Sequence, residues 1–462
     1  MSASTFVTLS GGRTEVPVAS LSAFQDRMRG QVIGPGGEGY DAYRTLWNTM
    51  IDRRPACIAR CCGAADVIAA VNFAREFDLL CSVRGGGHNV AGKAVADDTL
   101  MIDLSPMQDI RVDPSRGRAR VGAGCLWSAV DAETQAFGLA TTGGTVSHTG
   151  VAGLTLGGGI GWLASMHGIT CDNLLSVDLV TAAGEYLHVD ENEHPDLFWA
   201  LRGGGGNFGV ATSFEFRLHP VGPMIYAGLL AWPMSSARDV LRAYRDFVAE
   251  APEELTVFAG FISSPEGDPL LALIPGWFGA IAEGESMLAP LRKLQPALDV
   301  VQEIPYIAQQ QLFDEAAGPG MPRYWKSGYV TDLSDDLIDV LIAQNEKRPT
   351  PQSPQLLFRM HGQMNAIPVN ATAFPQRRDG WDYDVIAQWT EPGQAESCIA
   401  WARETWDAVS PHTNGVYINH LDHDDEGRIR SAFGPNYDRL VEVKRTYDAN
   451  NFFRLNNNIP PD

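Results

Sequence analysis

Apolar residues recur at helical spacing over residues 64–77, where Val67, Val71 and Ala74 share one face, and then run on through 79–83 until they meet glycine. The pattern predicts a helix, a strand and a glycine loop in succession. Short apolar runs at 100–104, 110–112 and 118–121 predict strands, the last two joined by the turn Asp113-Pro114-Ser115-Arg116-Gly117. A helix is expected over 126–137, stopped by Gly138. Residues 177–180 and 186–189 flank Ala183-Gly184 as a hairpin, a short helix covers 195–201, and a strand covers 210–218.

Beyond His219-Pro220-Val221-Gly222-Pro223 the rhythm changes. Strands predicted at 225–231, 255–261, 270–274, 356–361, 383–389 and 416–421 alternate with helices at 237–248, 282–294, 337–346 and 397–409. One broad sheet with helices on one side satisfies this order, an α+β layout. The tail, 437–461, reads as a helix followed by an asparagine-rich strand, too short for a domain, so it must pack back on another part of the chain. With 462 residues the chain exceeds one compact core, and it divides into 1–221, 222–430 and a returning segment, 431–462.

Charge narrows the partners. Acids outnumber Lys and Arg 56 to 35, a net charge of −21, which argues against a nucleic-acid or anionic-membrane partner. Residues 1–16 lack a basic segment followed by an apolar run, and no stretch reaches the ~20 apolar residues of a membrane span, so a cytoplasmic protein is expected. The seven cysteines read as reduced thiols. Cys57, Cys61 and Cys62 have no second Cys/His pair at ligand spacing, so no metal site is expected.

Three glycine passages stand out: Arg84-Gly85-Gly86-Gly87-His88-Asn89 directly after a strand, 143–161 containing Gly157-Gly158-Gly159, and Arg202-Gly203-Gly204-Gly205-Gly206-Asn207-Phe208-Gly209. Successive glycine N–H groups form an anion-binding nest; a strand-closing turn with a surface histidine fits the first passage equally well. Gly204, Gly206 and Gly209 satisfy G-x-G-x-x-G, but a helix precedes them and a strand follows, the reverse of the dinucleotide-binding order. No P-loop sequence occurs. Three cradles within about 130 residues suit one long ligand crossed at several points.

Together with Thr149-Gly150-Val151-Ala152-Gly153-Leu154-Thr155-Leu156-Gly157-Gly158-Gly159 and the tail Tyr447-Asp448-Ala449-Asn450-Asn451-Phe452-Phe453-Arg454-Leu455-Asn456, the first and third passages resemble the berberine-bridge-enzyme-like flavoprotein oxidases of the vanillyl-alcohol-oxidase/PCMH superfamily. The resemblance spans almost the whole chain. It implies a PCMH-type FAD-binding domain built from the N-terminal segment and the tail, and a substrate domain whose antiparallel sheet is covered by helices. It further implies extended FAD, with its pyrophosphate on Arg84, Gly85, Gly86 and Gly87 and further contacts from Asn89, Gly150, Gly153, Gly157, Gly158, Gly209 and Val210. Thr149, Leu154 and Asn456 are implied to lie near the ring.

His88 occupies the position that in this family bonds to the flavin 8α carbon. Many members carry a second, cysteine linkage in the 143–153 region; Ser147 is read there, beside His148, and no cysteine lies between Cys125 and Cys171. Single attachment through His88 is therefore expected, as in the nicotine-oxidase-like branch. His148 fits either a place in the pocket or a packing role.

The segment Tyr417-Ile418-Asn419-His420-Leu421-Asp422 is similar to the family's Tyr-x-Asn-Tyr, whose last residue serves some members as base, here His420. Strand alternation pairs Ile418 with His420 on one face. Tyr383, Asp384, His361 and Gln363 are further candidates on neighbouring strands. The expected activity is an FAD-dependent oxidase that moves a hydride from a small or medium organic substrate, favoured as a secondary metabolite by Tyr324, Trp325, Trp381 and Tyr383, and gives H2O2 from O2. A flavin-N5-oxide oxygenase or cyclase, a dehydrogenase with another acceptor, and a non-catalytic flavin-binding protein are the alternatives; the Thr149 and Leu154 pair weighs against the N5-oxide.

Overall fold

The computed structural model describes residues 4–461; residues 1–3 and 462, at the outer ends of the expected first domain and tail, lie outside the described residues. The N-terminal half holds two main sheets beside two small two-stranded ones. In the four-stranded one, Leu100–Asp103 lies between Cys57–Arg60 and Cys81–Arg84, parallel to both, and Gln31–Ile33 adds antiparallel to Cys57–Arg60 at the edge. The helix Ala64–Glu76 supplies the crossover, burying Val67, Val71 and Ala74 as the helical period requires. The strand Cys81–Arg84 thus delivers the first glycine passage to the end of a parallel sheet. A five-stranded antiparallel sheet follows, ordered Tyr186–Asp190, Leu174–Val180, Val210–Arg217, Arg118–Gly122 and Ile110–Asp113.

The second half is built on a nine-stranded sheet whose strands pair antiparallel throughout. Helices Ala237–Ala249, Ile281–Arg292, Asp335–Glu346 and Ala395–Val409 cover one face, packing on Val257, Phe261, Leu273, Tyr383 and Val385. Asp335–Glu346 begins where its sequence says it should: Ser334 Oγ accepts the Leu337 N–H at 3.3 Å, with Asp335 and Asp336 in the positive first turn. The opposite face turns toward the N-terminal half, where Phe258 packs on Trp162 and Phe358 on Phe258. The fold is α+β, as the element order predicts.

Three local expectations fail, and one strand goes unforeseen. Residues 416–421 form no strand; Ile418–His420 is a single 3-10 turn, closed by the His420 N–H donating to Tyr417 O at 3.0 Å. The tail after helix Tyr437–Tyr447 contains no strand either, because its asparagine amides bond to loops rather than to a sheet edge. The strand expected at 225–231 is two, Met224–Ala227 and Leu230–Pro233, broken at Gly228, where φ is +146° and a Cβ would lie 2.5 Å from Val300 O. Finally, Arg323–Val330 is a central-length strand that the apolar pattern conceals, since Arg323 and Lys326 are buried within it.

The tail is fastened by a buried ion pair. Lys444 Nζ donates to Asp448 Oδ2 at 2.6 Å, Asn207 O at 2.7 Å and Phe453 O at 2.9 Å, while Asp448 accepts the Phe452 and Phe453 N–H groups. Both side chains are fully buried. Asp448→Ala leaves the ammonium without its counter-charge and is expected to destabilise the protein by about 3–5 kcal/mol. A urea midpoint unchanged from wild type would refute this.

Candidate active site

A cavity of about 310 Å³ lies between the two halves, within the range of small-molecule sites. Its wall on the N-terminal side is glycine backbone. Gly86 and Gly150 touch directly: a Cβ on Gly86 would lie 2.5 Å from Gly150 Cα, and one on Gly150 2.5 Å from Gly86 N. Two passages far apart in sequence therefore pack main chain on main chain, and Gly87 turns with φ +69° to bring His88 to the cavity. Gly85, Asn89, Thr149, Gly153 and Leu154 line the same wall, and Gly209 with Val210 continues it. From the tail, Asn456 reaches the cavity, its Nδ2 donating to Gly206 O and Phe453 O at 3.0 Å each.

Other expected contacts fall elsewhere. Arg84 lies beneath the loop, donating to Tyr43 O, because the strand's alternation turns it from the cavity. Gly157 and Gly158 end the helix Val151–Leu156 and make room for packing; a Cβ would strike Asn419 at 2.1 Å in the first case and Phe374 at 2.7 Å in the second. Ser147 is buried against Asp314, which accepts its N–H at 2.8 Å and its hydroxyl at 2.6 Å. From this segment Gly144, Thr145 and Val146 line the cavity in its place.

His88 is held on two sides. Its ring stacks on Trp47 at 4.1 Å, the Arg323 guanidinium covers the same indole 3.8 Å from its centroid, and His88 Nε2 lies 3.1 Å from His148 Nδ1 in hydrogen-bond geometry. Burial, then the neighbouring His148 and Arg323, push the His88 imidazole down to about 3, so it is neutral. Neutral imidazole is the nucleophilic form.

The far wall comes from the substrate-side sheet. Along Gly380–Gln388, alternation sends Trp381, Tyr383 and Val385 to the helices and Asp382 and Asp384 to the cavity side. Tyr383 is thereby removed from the site: its hydroxyl donates to Gln355 Oε1 at 2.8 Å in the core. His361 and Gln363 are also outside, the first donating from Nε2 to Leu255 O at 3.0 Å and the second donating to the Glu253 carboxylate at 3.0 Å.

His420, on its 3-10 turn, places Nδ1 3.0 Å from Asp384 Oδ1 and 3.1 Å from Asp382 Oδ2. Both carboxylates are fully buried, and Trp325 Nε1 donates to Asp384 Oδ1 at 2.7 Å. Burial opposes charge on His420, but Asp384 and Asp382 more than offset it and hold the imidazole protonated well above its ordinary range. Asp382 is pushed up to about 7, by burial first and then by the charge of Asp384, with His420 pulling the other way. Its oxygens contact His420 off the line of a hydrogen bond and have no hydrogen-bonding partner. Among the two, the free carboxylate is the better proton acceptor. Asp382 escaped sequence reading although its i, i+2 relation to Asp384 marks the same face. Trp47 and Val146 carry no chemical signature and emerge only from the fold, and of the four aromatics expected at the substrate Trp325 lines the cavity while Tyr324, Trp381 and Tyr383 do not.

The glycine cradle, the neutral histidine at its end and the buried Asn456 Oδ1 without a partner fit a flavin dinucleotide better than a compact ligand. Comparison with known proteins gives the class: residues 55–190 match the FAD binding domain model and residues 416–460 the model described as berberine and berberine like. An FAD-linked oxidoreductase from Dictyostelium discoideum is 30% identical over 449 residues, covering 96% of this chain and 97% of that protein. The (R)-6-hydroxynicotine oxidase of Paenarthrobacter nicotinovorans is 31% identical over 451 residues, 94% and 97%. The crystal structure of 6-hydroxy-D-nicotine oxidase from Arthrobacter nicotinovorans superimposes with TM-score 0.87 at 30% identity, covering 94% of this chain and 98% of that one. Physcomitrella patens BBE-like 1 shares the fold, with TM-score 0.85 at 21% identity, covering 94% and 97%. The chain belongs to the berberine-bridge-enzyme-like family of FAD-linked oxidoreductases. Among the described residues no helix is long and apolar enough to cross a membrane.

Proposed function

We propose that this enzyme carries FAD on a single covalent bond to His88 and oxidises a small or medium organic molecule, passing the electrons to O2 to give H2O2. When bound, the flavin supplies the hydride acceptor. The chain's own residues do the rest: the glycine wall and Asn456 hold and orient the cofactor, ionised Asp382 takes the substrate proton, and protonated His420 with the Trp325 N–H keeps the two carboxylates in register. His420 is thus a positioning cation rather than the base. Trp325, Phe358 and Tyr417 shape the substrate end and suit a cyclic or aromatic molecule, consistent with secondary metabolism.

The observation that carries this reading is continuity: ring centroids step from His88 to Trp47 at 4.1 Å, to Trp325 at 6.4 Å and to His420 at 4.9 Å along one cavity. A linking histidine and a proton acceptor face one space. The test is acid precipitation of the purified enzyme, followed by a peroxide screen in air that begins with cyclic amines, 6-hydroxynicotine among them because a relative bears that name. Flavin fluorescence is expected to stay with the pellet. Flavin in the supernatant would overturn the linkage, and substrate-reduced flavin that air fails to reoxidise would overturn the oxidase.

A further inference from the structure

We infer that His148 is the proton acceptor that enables His88 to bond to the flavin, with His88 Nδ1 as the linking nitrogen. This rests on the His88 linkage proposed above. A neutral imidazole has one lone pair for attack and one N–H on the other nitrogen. Once attack begins, that N–H proton must leave, or the ring becomes an imidazolium.

The surroundings of His88 reject an imidazolium. It is pressed between the Trp47 ring and His148, with the Arg323 cation behind the indole, and among the described residues no carboxylate bonds to its ring. His148 is its side-chain hydrogen-bond partner among the described residues, at 3.1 Å through Nε2. If Nε2 carries the proton and donates it to His148 Nδ1, Nδ1 of His88 is the atom left to form the bond. His148 itself is set in place by the 3-10-like turn in which the Thr149 N–H donates to Val146 O, and its Nε2 is buried with no partner of its own.

The 8α-methyl group loses one proton and His88 Nε2 gives its proton to His148. The Nδ1–C bond forms as the methyl C–H bond breaks. The flavin ring takes two electrons, which O2 removes, leaving with the two protons as H2O2. His148 ends neutral and ready for no further role in turnover.

The experiment follows linkage rather than activity. Wild type, His148→Asn and His148→Ala are purified flavin-free from riboflavin-limited cells, incubated with added FAD in air, and the linked fraction is read over time from flavin fluorescence of the denatured band. Asparagine can accept the hydrogen bond but cannot hold the proton. Both variants are expected to bind FAD yet link it at least about 100-fold more slowly, the scale of a lost general base. Imidazole added to His148→Ala is expected to restore linkage saturably, which a packing role would not produce. Linkage at the wild-type rate in either variant overturns the inference, as does a slow His148→Ala indifferent to imidazole; should that variant precipitate, the His148→Asn rate decides. Wild type that never links the added FAD would instead overturn the His88 reading on which this one stands.

Discussion

His88→Ala is expected to abolish protein-linked flavin: after acid precipitation the pellet should show no flavin fluorescence, against essentially complete retention in wild type. The effect is all-or-none because no cysteine lies between Cys125 and Cys171 and Val146, an apolar residue, faces the cavity where a second linkage would need a thiol. The variant should still bind FAD, since the Gly86–Gly150 contact and the Asn456 amide are untouched. It should turn over more slowly, because attachment through a histidine tunes the ring's electronics. Linked flavin surviving in His88→Ala would place the attachment elsewhere and discard the assignment.

The second large effect concerns Asp382. Asp382→Asn is nearly isosteric and removes the base, so with a substrate that reduces wild-type flavin anaerobically the rate of reduction is expected to fall about 10²–10⁴-fold, with the flavin spectrum and linkage retained. The pH dependence follows from the same group. Asp382 must be ionised to accept a proton and its carboxyl is raised to about 7, so kcat/KM should rise about tenfold per pH unit below 7 and level off above it. His420 stays protonated across that window, so the rise belongs to the carboxylate. An Asp382→Asn enzyme within threefold of wild type, or an acid limb that persists in it, would move the base to another residue.

How far the sequence reaches is clear from where it stops. Glycine runs and helical periods announce the N-terminal half, because backbone that must approach a ligand tolerates only one residue type and an amphipathic helix must repeat at 3.6. The Arg323–Val330 strand is silent for the opposite reason. Its inward cations, Arg323 bonded to Gln388 and Lys326 to Asp424 and Asp425, read as surface until their partners are known. The same blindness hid Asp382, since a buried acid looks like an exposed one in one dimension. His420 was visible through a resemblance, yet its charge state depends on two carboxylates from a distant strand. Ser147 shows a different limit: a one-residue offset in a turn decides which side chain meets the cavity, and only coordinates resolve it.

One feature of the tail bears on how the holoenzyme is made. Phe453, Leu455, Asn456 and Asn457 line the cavity, and Asp448 and Lys444 anchor them. The wall of the flavin site is therefore incomplete until these segments have been made and folded into place. Cofactor capture, and any chemistry that fixes it, waits on residues 444–457, and a chain interrupted before residue 444 would leave the flavin unretained.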